Sequence, residues 1–387
     1  MKRCLLLLLA LSGIILAPAS ATTTLTELQF KNHLGNNENI HPKVLYFKDG
    51  WNGYKFWMAY TPYPASQTGA ENPCIAVSQD GLNWSPAKNL EEVLDSAPEV
   101  GYNSDTHLVY RADKDQLECW YRAVDDPAHA DCFKRRINTG KGWGPIEIPV
   151  PWNYDENNFR VSPVVNCFGD QYELYYVKRG QIYRKVSKHN FDTSEWSEPK
   201  VINIEFPKDL LPWHLDMTPS PKEGWYDTII QAYPSDLSNN NASLYYCLYN
   251  PETDESTPIQ LLLAPDGIEN SRHGRGIYRS SLVYTENEQF LYVTGVPFNI
   301  HRYMFVAHGK NLLQDLLEEA AGFAEVIIDG ESVETNGNVL SSSTGKFIEV
   351  FGLDGIKIGE GLTVTVPNSG LYIVRSKGSI HKIGISL

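Results

Sequence analysis

Three short segments with the same layout decide the fold: SQDGLNWSP at residues 78–86, GKGWGP at 140–145 and DTSEWSEP at 192–199. Each places turn-forming residues before a tryptophan and a proline within three residues after it. The tryptophans, Trp84, Trp143 and Trp196, are 59 and 53 residues apart. A hairpin that recurs at this interval is typical of a repeat architecture in which each unit is one small sheet.

The segments before each hairpin repeat as well. Every tryptophan follows three short runs rich in β-branched and aromatic residues, which are strand signals. These runs lie at 43–47, 55–60 and 74–78, then at 107–110, 117–122 and 131–137, then at 161–168, 172–177 and 181–187. Two weaker units follow, near 217–248 and near 280–307. Five such units predict an all-β fold with a five-bladed β-propeller. A β-sandwich is the alternative, but it gives no reason for one hairpin to recur at blade spacing.

The two ends of the chain differ from the repeats. Lys2 and Arg3 precede an apolar run and the cleavage-type sequence ASA at 19–21, which predicts a signal peptide over residues 1–21. The apolar run is too short to cross a bilayer, so we expect a secreted, periplasmic or cell-surface protein. We expect the propeller over 22–310 and a linker with a short helix over 311–325. Residues 326–387 then form a small C-terminal β-sandwich.

The composition excludes some partners. The formal net charge is −14 and no stripe of lysine and arginine occurs, which argues against nucleic acid. No later segment is apolar enough to span a membrane, and we expect a monomer. The cysteines lack the spacing of a zinc site. Cys119 and Cys132 flank a predicted hairpin, and they are either a cross-strand disulfide or two buried thiols.

Propeller geometry indicates where polar residues should meet. The innermost strand of each blade starts at one end of the central axis, and the loop between its second and third strands returns to that end. The predicted starts of the five inner strands carry His41, Asp105, His107, Arg160, Ser162, His214, Asp216 and Arg279. The returning loops add Tyr63, Glu71, Asp125, Asp126, His129, His301 and Arg302.

Such a group at five equivalent places indicates a site. Singly, each residue can be a turn, cap or buried hydrogen-bonding group. Together, charges around one narrow axis repel and desolvate one another unless a ligand or a charge network offsets the cost. Sugars stack their C–H faces on aromatic rings, so Trp213 and Tyr63 predict a carbohydrate ligand.

The first unit resembles a known family. His41-Pro42, WNGYKFWMAYTPYP at 51–64, ENP at 71–73 and the Ser78-Asp80-Gly81-Trp84 pattern are similar to the first blade of the glycoside hydrolase family 43 glycosidases and their relatives. They resemble more closely a group of secreted and phage-borne glycosidase-like proteins. Weaker similarity extends over residues 35–310. The resemblance implies a propeller that cleaves glycosidic bonds with inversion.

In that family an aspartate of the first blade is the base, an aspartate of the second orients, and a glutamate of the fourth is the acid. Asp105 matches the second position, whereas His41 occupies the first. Asp216 or His214 occupies the third. Inversion requires two carboxyl groups about 6.5–9.5 Å apart. We therefore assign Asp216 as acid and Asp105 or Glu71 as base. His41, His107, His214, Arg160, Arg279, Trp213 and Tyr63 are the predicted substrate-binding residues.

The tail has a separate resemblance. IEVFGLDGIK at 348–357 and PNSGLYIVR at 367–375 look like the sorting domain of type IX secretion substrates. The resemblance implies export. A plain accessory β domain is the alternative.

Three functions follow as hypotheses. The first is a secreted glycoside hydrolase acting at the mouth of the axis, and the second is a carbohydrate-binding propeller without catalysis. No cofactor is expected in either. The third is a metal-assisted enzyme, or a structural Ca²⁺ in the channel, with His41, His107 and Asp105 as the ligand set.

Overall fold

The computed structural model describes residues 23–154, 159–321, 333–336, 338–342, 347–352, 357–367, 370–376 and 379–385. The predicted signal peptide and part of each tail motif lie outside these ranges, so the predicted export stays a prediction. Among the described residues, no helix has the length and apolar character to cross a membrane.

Five antiparallel sheets follow one another along residues 23–309. Their strands are β1 (Thr26–Glu27), β2 (Asn39–Trp51), β3 (Tyr54–Pro62), β4 (Cys74–Ser78), β5 (Tyr102–Arg111), β6 (Gln116–Asp125), β7 (Ala130–Asn138), β8 (Glu147–Asn153), β9 (Val161–Phe168), β10 (Gln171–Lys178), β11 (Gln181–Lys188), β12 (Asp192–Trp196), β13 (Lys200–Val201), β14 (Leu210–Pro219), β15 (Tyr226–Pro234), β16 (Ser243–Asn250), β17 (Glu255–Ser256), β18 (Gln260–Leu263), β19 (Gly276–Tyr284), β20 (Gln289–Val296) and β21 (Tyr303–Gly309).

The sheets form a closed ring of blades. Their strand orders are β2-β3-β4, β5-β6-β7-β8, β9-β10-β11-β12, β14-β15-β16-β17 and β19-β20-β21-β1, with β13 beside β11 and β18 beside β16. The first strands contact each other in the cycle β2, β5, β9, β14, β19 and back to β2. Strand β1 pairs with β21, so the two ends of the propeller complete one blade. The predicted all-β propeller fold is confirmed.

Alternating residues on the strands explain why the blades stack. On β3, Trp57 and Ala59 pack toward the second blade, while Met58 and Tyr60 pack toward the fifth. All four are at most 1% exposed, because a blade is covered on both faces. A strand that is apolar on both faces fits between two neighbouring blades. It does not fit a sheet with one face in solvent, where every second residue would be polar.

The first tryptophan hairpin clamps two blades together. Asp80 Oδ1 accepts hydrogen bonds from the backbone N–H groups of Leu82 and Asn83, at 2.9 and 2.8 Å. The Trp84 indole and the Tyr292 hydroxyl of the fifth blade both donate to the Gly81 carbonyl, at 3.0 and 2.9 Å. The other two hairpins differ in detail, since the Trp196 indole donates to Pro149 and the Trp143 indole has no partner among the described residues.

The tail forms two further sheets. After α1 (Leu312–Ala321) come β22 (Val333–Asn336), β23 (Val339–Ser342), β24 (Ile348–Gly352), β25 (Lys357–Gly361), β26 (Thr363–Thr365), β27 (Gly370–Ser376) and β28 (Ser379–Ile385). The sheet orders are β22-β23-β26 and β25-β24-β27-β28. One apolar core that includes Leu340, Val350 and Val374 lies between them, as in a small sandwich.

The predicted option of a Cys119–Cys132 disulfide is wrong. Both thiols are free and buried. The register of β6 and β7 places Cys119 opposite Arg136 and Cys132 opposite Ala123. The two cysteines are therefore four positions apart along the hairpin and do not face each other.

We expect Gly81→Ala to destabilise the propeller more than Gly140→Ala does. Both glycines have a positive φ, +76° and +82°, which costs an alanine a similar amount. A Cβ at Gly81 would also lie 2.8 Å from the Tyr292 hydroxyl, whereas Gly140 has no atom within 4 Å. The free energy of unfolding should differ by about 1–3 kcal/mol between the variants in urea titrations. Equal losses of unfolding free energy in the two variants would contradict a stabilising contact between the Gly81 turn and Tyr292.

The Asp80 turn should make stability depend on pH at the acid end. Partial burial raises the pKa of Asp80, but hydrogen bonds from Asn83, Leu82 and Ser78 outweigh it and lower the pKa to about 2. A lowered carboxyl pKa stabilises the fold above the unfolded value, and this contribution is lost as the pH falls through the folded value. Asp80→Asn should therefore lower the melting temperature at neutral pH. Because solvent screens this exposed group, we expect a difference of at most about 1 kcal/mol that shrinks from about pH 5 to pH 3.

Candidate functional site

Every inner strand has a bulge near its start. The pairing with the second strand shifts near the start of the inner strand in each blade, around residues 41, 105, 162, 213 and 278. His41, Asp105 and Ser162 have positive φ angles of 58°, 56° and 58°. A non-glycine residue in this region costs of order 1–3 kcal/mol and persists only where its surroundings enforce it. Such strain at one end of the axis in three blades marks a candidate functional site, because bulges redirect side chains.

Three side chains at or next to these bulges converge on one point. His41 Nε2 lies 3.1 Å from Asp105 Oδ1, and His214 Nδ1 lies 4.0 Å from the same oxygen. The ligand-type atoms of all three residues lie within 4.8 Å of one another. His41, Asp105 and His214 are 3%, 2% and 1% exposed. We call these three residues the hub cluster.

Neighbouring blades hold the hub cluster in place. Asp105 Oδ2 accepts the Ser162 backbone N–H at 2.9 Å, and Arg122 Nη1 lies 3.7 Å from it. Thr61 Oγ1 lies 2.8 Å from His41 Nδ1, and the Asp105 backbone N–H donates to the same nitrogen at 3.3 Å. The positions of the imidazole and the carboxylate are therefore set by three different blades.

Both histidines of the hub cluster are neutral near pH 7. Burial lowers the pKa of His41 to about 3 and lowers the pKa of His214 well below its usual value. His41 Nε2 and both ring nitrogens of His214 are buried and make no hydrogen bond with the described residues. A neutral imidazole with an unpartnered nitrogen is the form that binds a metal ion.

Two carboxyl groups of the site have opposite shifts. Burial raises the pKa of Asp105, but His41, His214, Arg122 and Arg279 together outweigh burial and hold the pKa below the usual aspartate value. Burial and the Asp105 charge raise the pKa of Glu71 well above the usual glutamate value. Glu71 Oε2 lies 3.6 Å from His41 Nδ1 and has no hydrogen-bond partner. The two carboxyl groups of the pocket therefore have pKa values shifted in opposite directions.

A cavity of about 350 Å³ opens above the hub cluster. It is lined by Ile40, His41, Tyr63, Ser66, Glu71, Asn239, Asn240, Arg275, Tyr278, Asn299, Ile300 and Arg302. A wider depression of about 530 Å³ lies at the opposite ends of β2 and β5. There the Trp51 indole and the Tyr110 hydroxyl both donate to Asp115, so the Asp115 carboxylate is already paired.

Several predicted site residues meet at this cavity. His41, Glu71 and Tyr63 line it, and Asp105 and His214 lie next to His41 in the hub cluster. Arg279 is buried near Asp105, and its Nη2 donates to the Pro163 carbonyl. Trp213 is half-buried, and its indole donates to the Tyr278 hydroxyl at 3.2 Å.

Three predicted residues have other roles. Asp216 accepts Lys43 Nζ at 2.5 Å and the Leu282 backbone N–H at 3.0 Å, two positions farther along β14 than His214. A carboxylate so paired is not free to act as the catalytic acid, which corrects that assignment.

His107 and Arg160 also lie outside the pocket. His107 Nε2 lies 3.0 Å from the Val165 carbonyl, so the metal-type set contains His214 in its place. Arg160 Nε donates to Asp131 at 2.7 Å. Both predictions of substrate contact are therefore corrected.

Sequence reasoning missed Arg122, Tyr278 and Arg275. Arg122 lies on the second strand of its blade and not at an inner-strand start. The sequence feature that could have identified Arg122 is a charged residue within a strand that is otherwise buried on both faces. Tyr278 and Arg275 precede the predicted Arg279, and only the bulge brings the tyrosine to the cavity.

Comparisons with known proteins agree with this fold. No protein-family model matches the chain. The A type blood N-acetyl-α-D-galactosamine deacetylase of Flavonifractor plautii is 26% identical, over 64% of this chain and 38% of that protein. This chain thus spans well under half the length of that relative.

Solved structures are similar as well. An N-acetylgalactosamine deacetylase from F. plautii, in complex with blood group B trisaccharide, has a TM-score of 0.64 at 18% identity and covers 78% of this chain and 99% of its own. The catalytic domain of the Coprinopsis cinerea GH62 α-L-arabinofuranosidase has a TM-score of 0.51 at 14% identity, over 75% and 98%. These likenesses establish a shared fold, while membership of family 43 and the sorting-domain resemblance stay predictions.

The hub cluster should bind one divalent transition-metal ion. Two imidazoles and a carboxylate suit zinc or cobalt, whereas Ca²⁺ prefers oxygen ligands. After dialysis against EDTA, calorimetric titration with Zn²⁺ should give one site in the wild-type protein. His214→Ala should abolish it, and His189→Ala, at an exposed histidine, should keep it. The same zinc stoichiometry in folded His214→Ala would exclude the site.

Proposed function

We propose that this chain is a carbohydrate-processing hydrolase that removes the acetyl group from an N-acetylated amino sugar in the cavity above the hub cluster. The observation that carries this proposal is the pair of neutral histidines, each with a buried ring nitrogen that makes no hydrogen bond, beside the ionised Asp105. Such a donor set points to metal-assisted hydrolysis. The name of the relative supports the same reaction class, since the F. plautii protein is an N-acetyl-α-D-galactosamine deacetylase.

The two-carboxylate arrangement expected from sequence is incomplete. Asp216, the assigned acid, is paired with Lys43, so Glu71 and Asp105 remain near the cavity. The pairing of the assigned acid weakens the case for the inverting mechanism of the resembled family. It does not affect amide hydrolysis, which needs one proton-transferring group and one means of polarising the carbonyl.

The side chains suggest a division of roles. His41, Asp105 and His214 would hold the metal ion, which when bound polarises a carbonyl and lowers the pKa of water. Glu71 is positioned to take a proton from water and return it to the nitrogen. Hydrolysis then breaks the C–N bond of the acetamido group, forms a C–O bond to the water oxygen and releases acetate and an amine. Tyr63 and Tyr278 line the cavity and can pack on the sugar ring.

A second candidate function is glycosidic bond hydrolysis. Glu71 and Asp105 have pKa values shifted in opposite directions within one pocket, as an acid and a base require. Here Glu71 would protonate the leaving oxygen and Asp105 would activate water. The remaining alternative from sequence is a propeller that binds carbohydrate without turnover.

Product analysis separates these functions. The zinc-loaded protein should release acetate from N-acetylgalactosaminides or N-acetylglucosaminides and leave the glycosidic bond intact. Glu71→Gln should lower kcat by about 10²–10⁴-fold, because the proton-transferring group is lost. Chromatography and mass spectrometry of the products would measure both.

Asp115→Asn is the matched control, since it removes a carboxylate at the opposite end of the axis. It should retain full activity. Reducing sugar without acetate would favour the glycosidase, and saturable binding without any product would favour the non-catalytic propeller. Either result contradicts the deacetylase.

A further inference from the structure

Two arginines line the cavity without a carboxylate partner. Arg275 Nη2 donates to Ser238 Oγ and Asn241 Oδ1, each at 3.3 Å. Arg302 donates to the Asn299 and His301 carbonyls and to Asn240 Oδ1, at 3.1, 2.7 and 3.0 Å. Among the described residues, neither guanidinium forms an ion pair. This is unusual in a chain whose formal net charge is −14.

The nearby acids do not neutralise the pair. Glu38 is close enough to act on Arg302, but its carboxylate accepts the Ala65 N–H at 2.7 Å and lies 2.8 Å from His301 Nδ1. Glu71 lines the same cavity, but its carboxylate forms no ion pair with either arginine and lies instead 3.6 Å from His41 Nδ1. Two positive charges therefore face one cavity, and neither has an ion-pair partner among the described residues.

This arrangement is costly without a ligand. Arg302 is only 7% exposed, and burial together with the Arg275 charge lowers its pKa. Like charges held in a partly desolvated cavity repel one another. An anion between them would remove the repulsion and gain charge-assisted hydrogen bonds.

Each guanidinium has hydrogen-bond donors left over. Arg302 uses three of its five N–H groups on fixed protein acceptors, and Arg275 contacts two acceptors through one nitrogen. The protein bonds hold the planar groups in place, so the remaining donors are pre-organised. Pre-organised guanidinium groups suit planar or multidentate oxyanions better than lysine does.

We propose that Arg275 and Arg302 form a subsite for an anionic substituent, a carboxylate or a sulfate, on the glycan that enters this cavity. The subsite rests on the proposed function, because it assumes that the cavity receives a sugar. It narrows the substrate class to acidic glycans.

Direct binding tests the subsite without any turnover. Calorimetric titration would compare methyl glucuronide with methyl glucoside, and N-acetylgalactosamine 6-sulfate with N-acetylgalactosamine. In the wild-type protein the acidic member of at least one pair should bind about 10–100-fold more tightly. The first pair reports a carboxylate and the second a sulfate, so the arm that shows the preference identifies the anion.

Arg275→Gln should remove the preference and leave the affinity for the neutral sugar unchanged. Arg275→Lys should keep part of it, and Lys114→Gln, at an exposed distant site, should keep all of it. The second subsite variant is the conservative Arg302→Lys. Arg302 also holds the 299–301 loop through the Asn299 and His301 carbonyls, so a neutral substitution there would disturb the loop as well.

Equal affinities for both members of both pairs in the wild-type protein would refute the subsite, and so would a preference that survives in Arg275→Gln. Retained anion preference without acetate release would refute the deacetylase proposal alone. Acetate release without anion preference would refute the subsite alone.

Discussion

The buried carboxylate of Asp105 is the interaction on which both the ring and the site depend. An ionised carboxylate in a protein interior costs several kcal/mol unless it is paired and hydrogen-bonded. Here His41 from the first blade, Ser162 from the third and His214 from the fourth approach it, with Arg122 from its own blade. The group that closes the blades around the axis is therefore the group that organises the candidate chemistry.

Charge is distributed unevenly between the axis and the surface. The chain carries a formal net charge of −14, yet the cavity end of the axis is rich in arginine, with Arg122, Arg275, Arg279 and Arg302. At this end of the axis burial raises the pKa of Glu71, whereas the surrounding charges hold the pKa of Asp105 below its usual value. The local electrostatics thus oppose the global charge, because desolvation and short-range contacts dominate inside a narrow cavity.

Much of the architecture could be predicted because it rests on local signals. The Asp80 turn and Trp84 repeat a short pattern, and the strands before them alternate as blades require. The identities of His41, Glu71, Asp105 and His214 were also predicted, since strand starts and returning loops meet at one end of a propeller. Asp216 and His107 failed for one reason: each lies two positions beyond a hub residue on the same strand. Strand position alone does not say which of two such residues reaches the cavity.

The sequence by itself determined the repeat, the all-β class and the presence of histidines and acids at the inner-strand starts. All three follow from residue type and spacing. The tertiary structure decided which of those residues face the cavity. Five bulges, near residues 41, 105, 162, 213 and 278, shift the strand register just where the site is formed. A shift of one residue exchanges the two faces of a strand, so periodicity cannot anticipate it. Neighbouring blades hold the strained backbone at three of these positions, and only the closed ring supplies those neighbours.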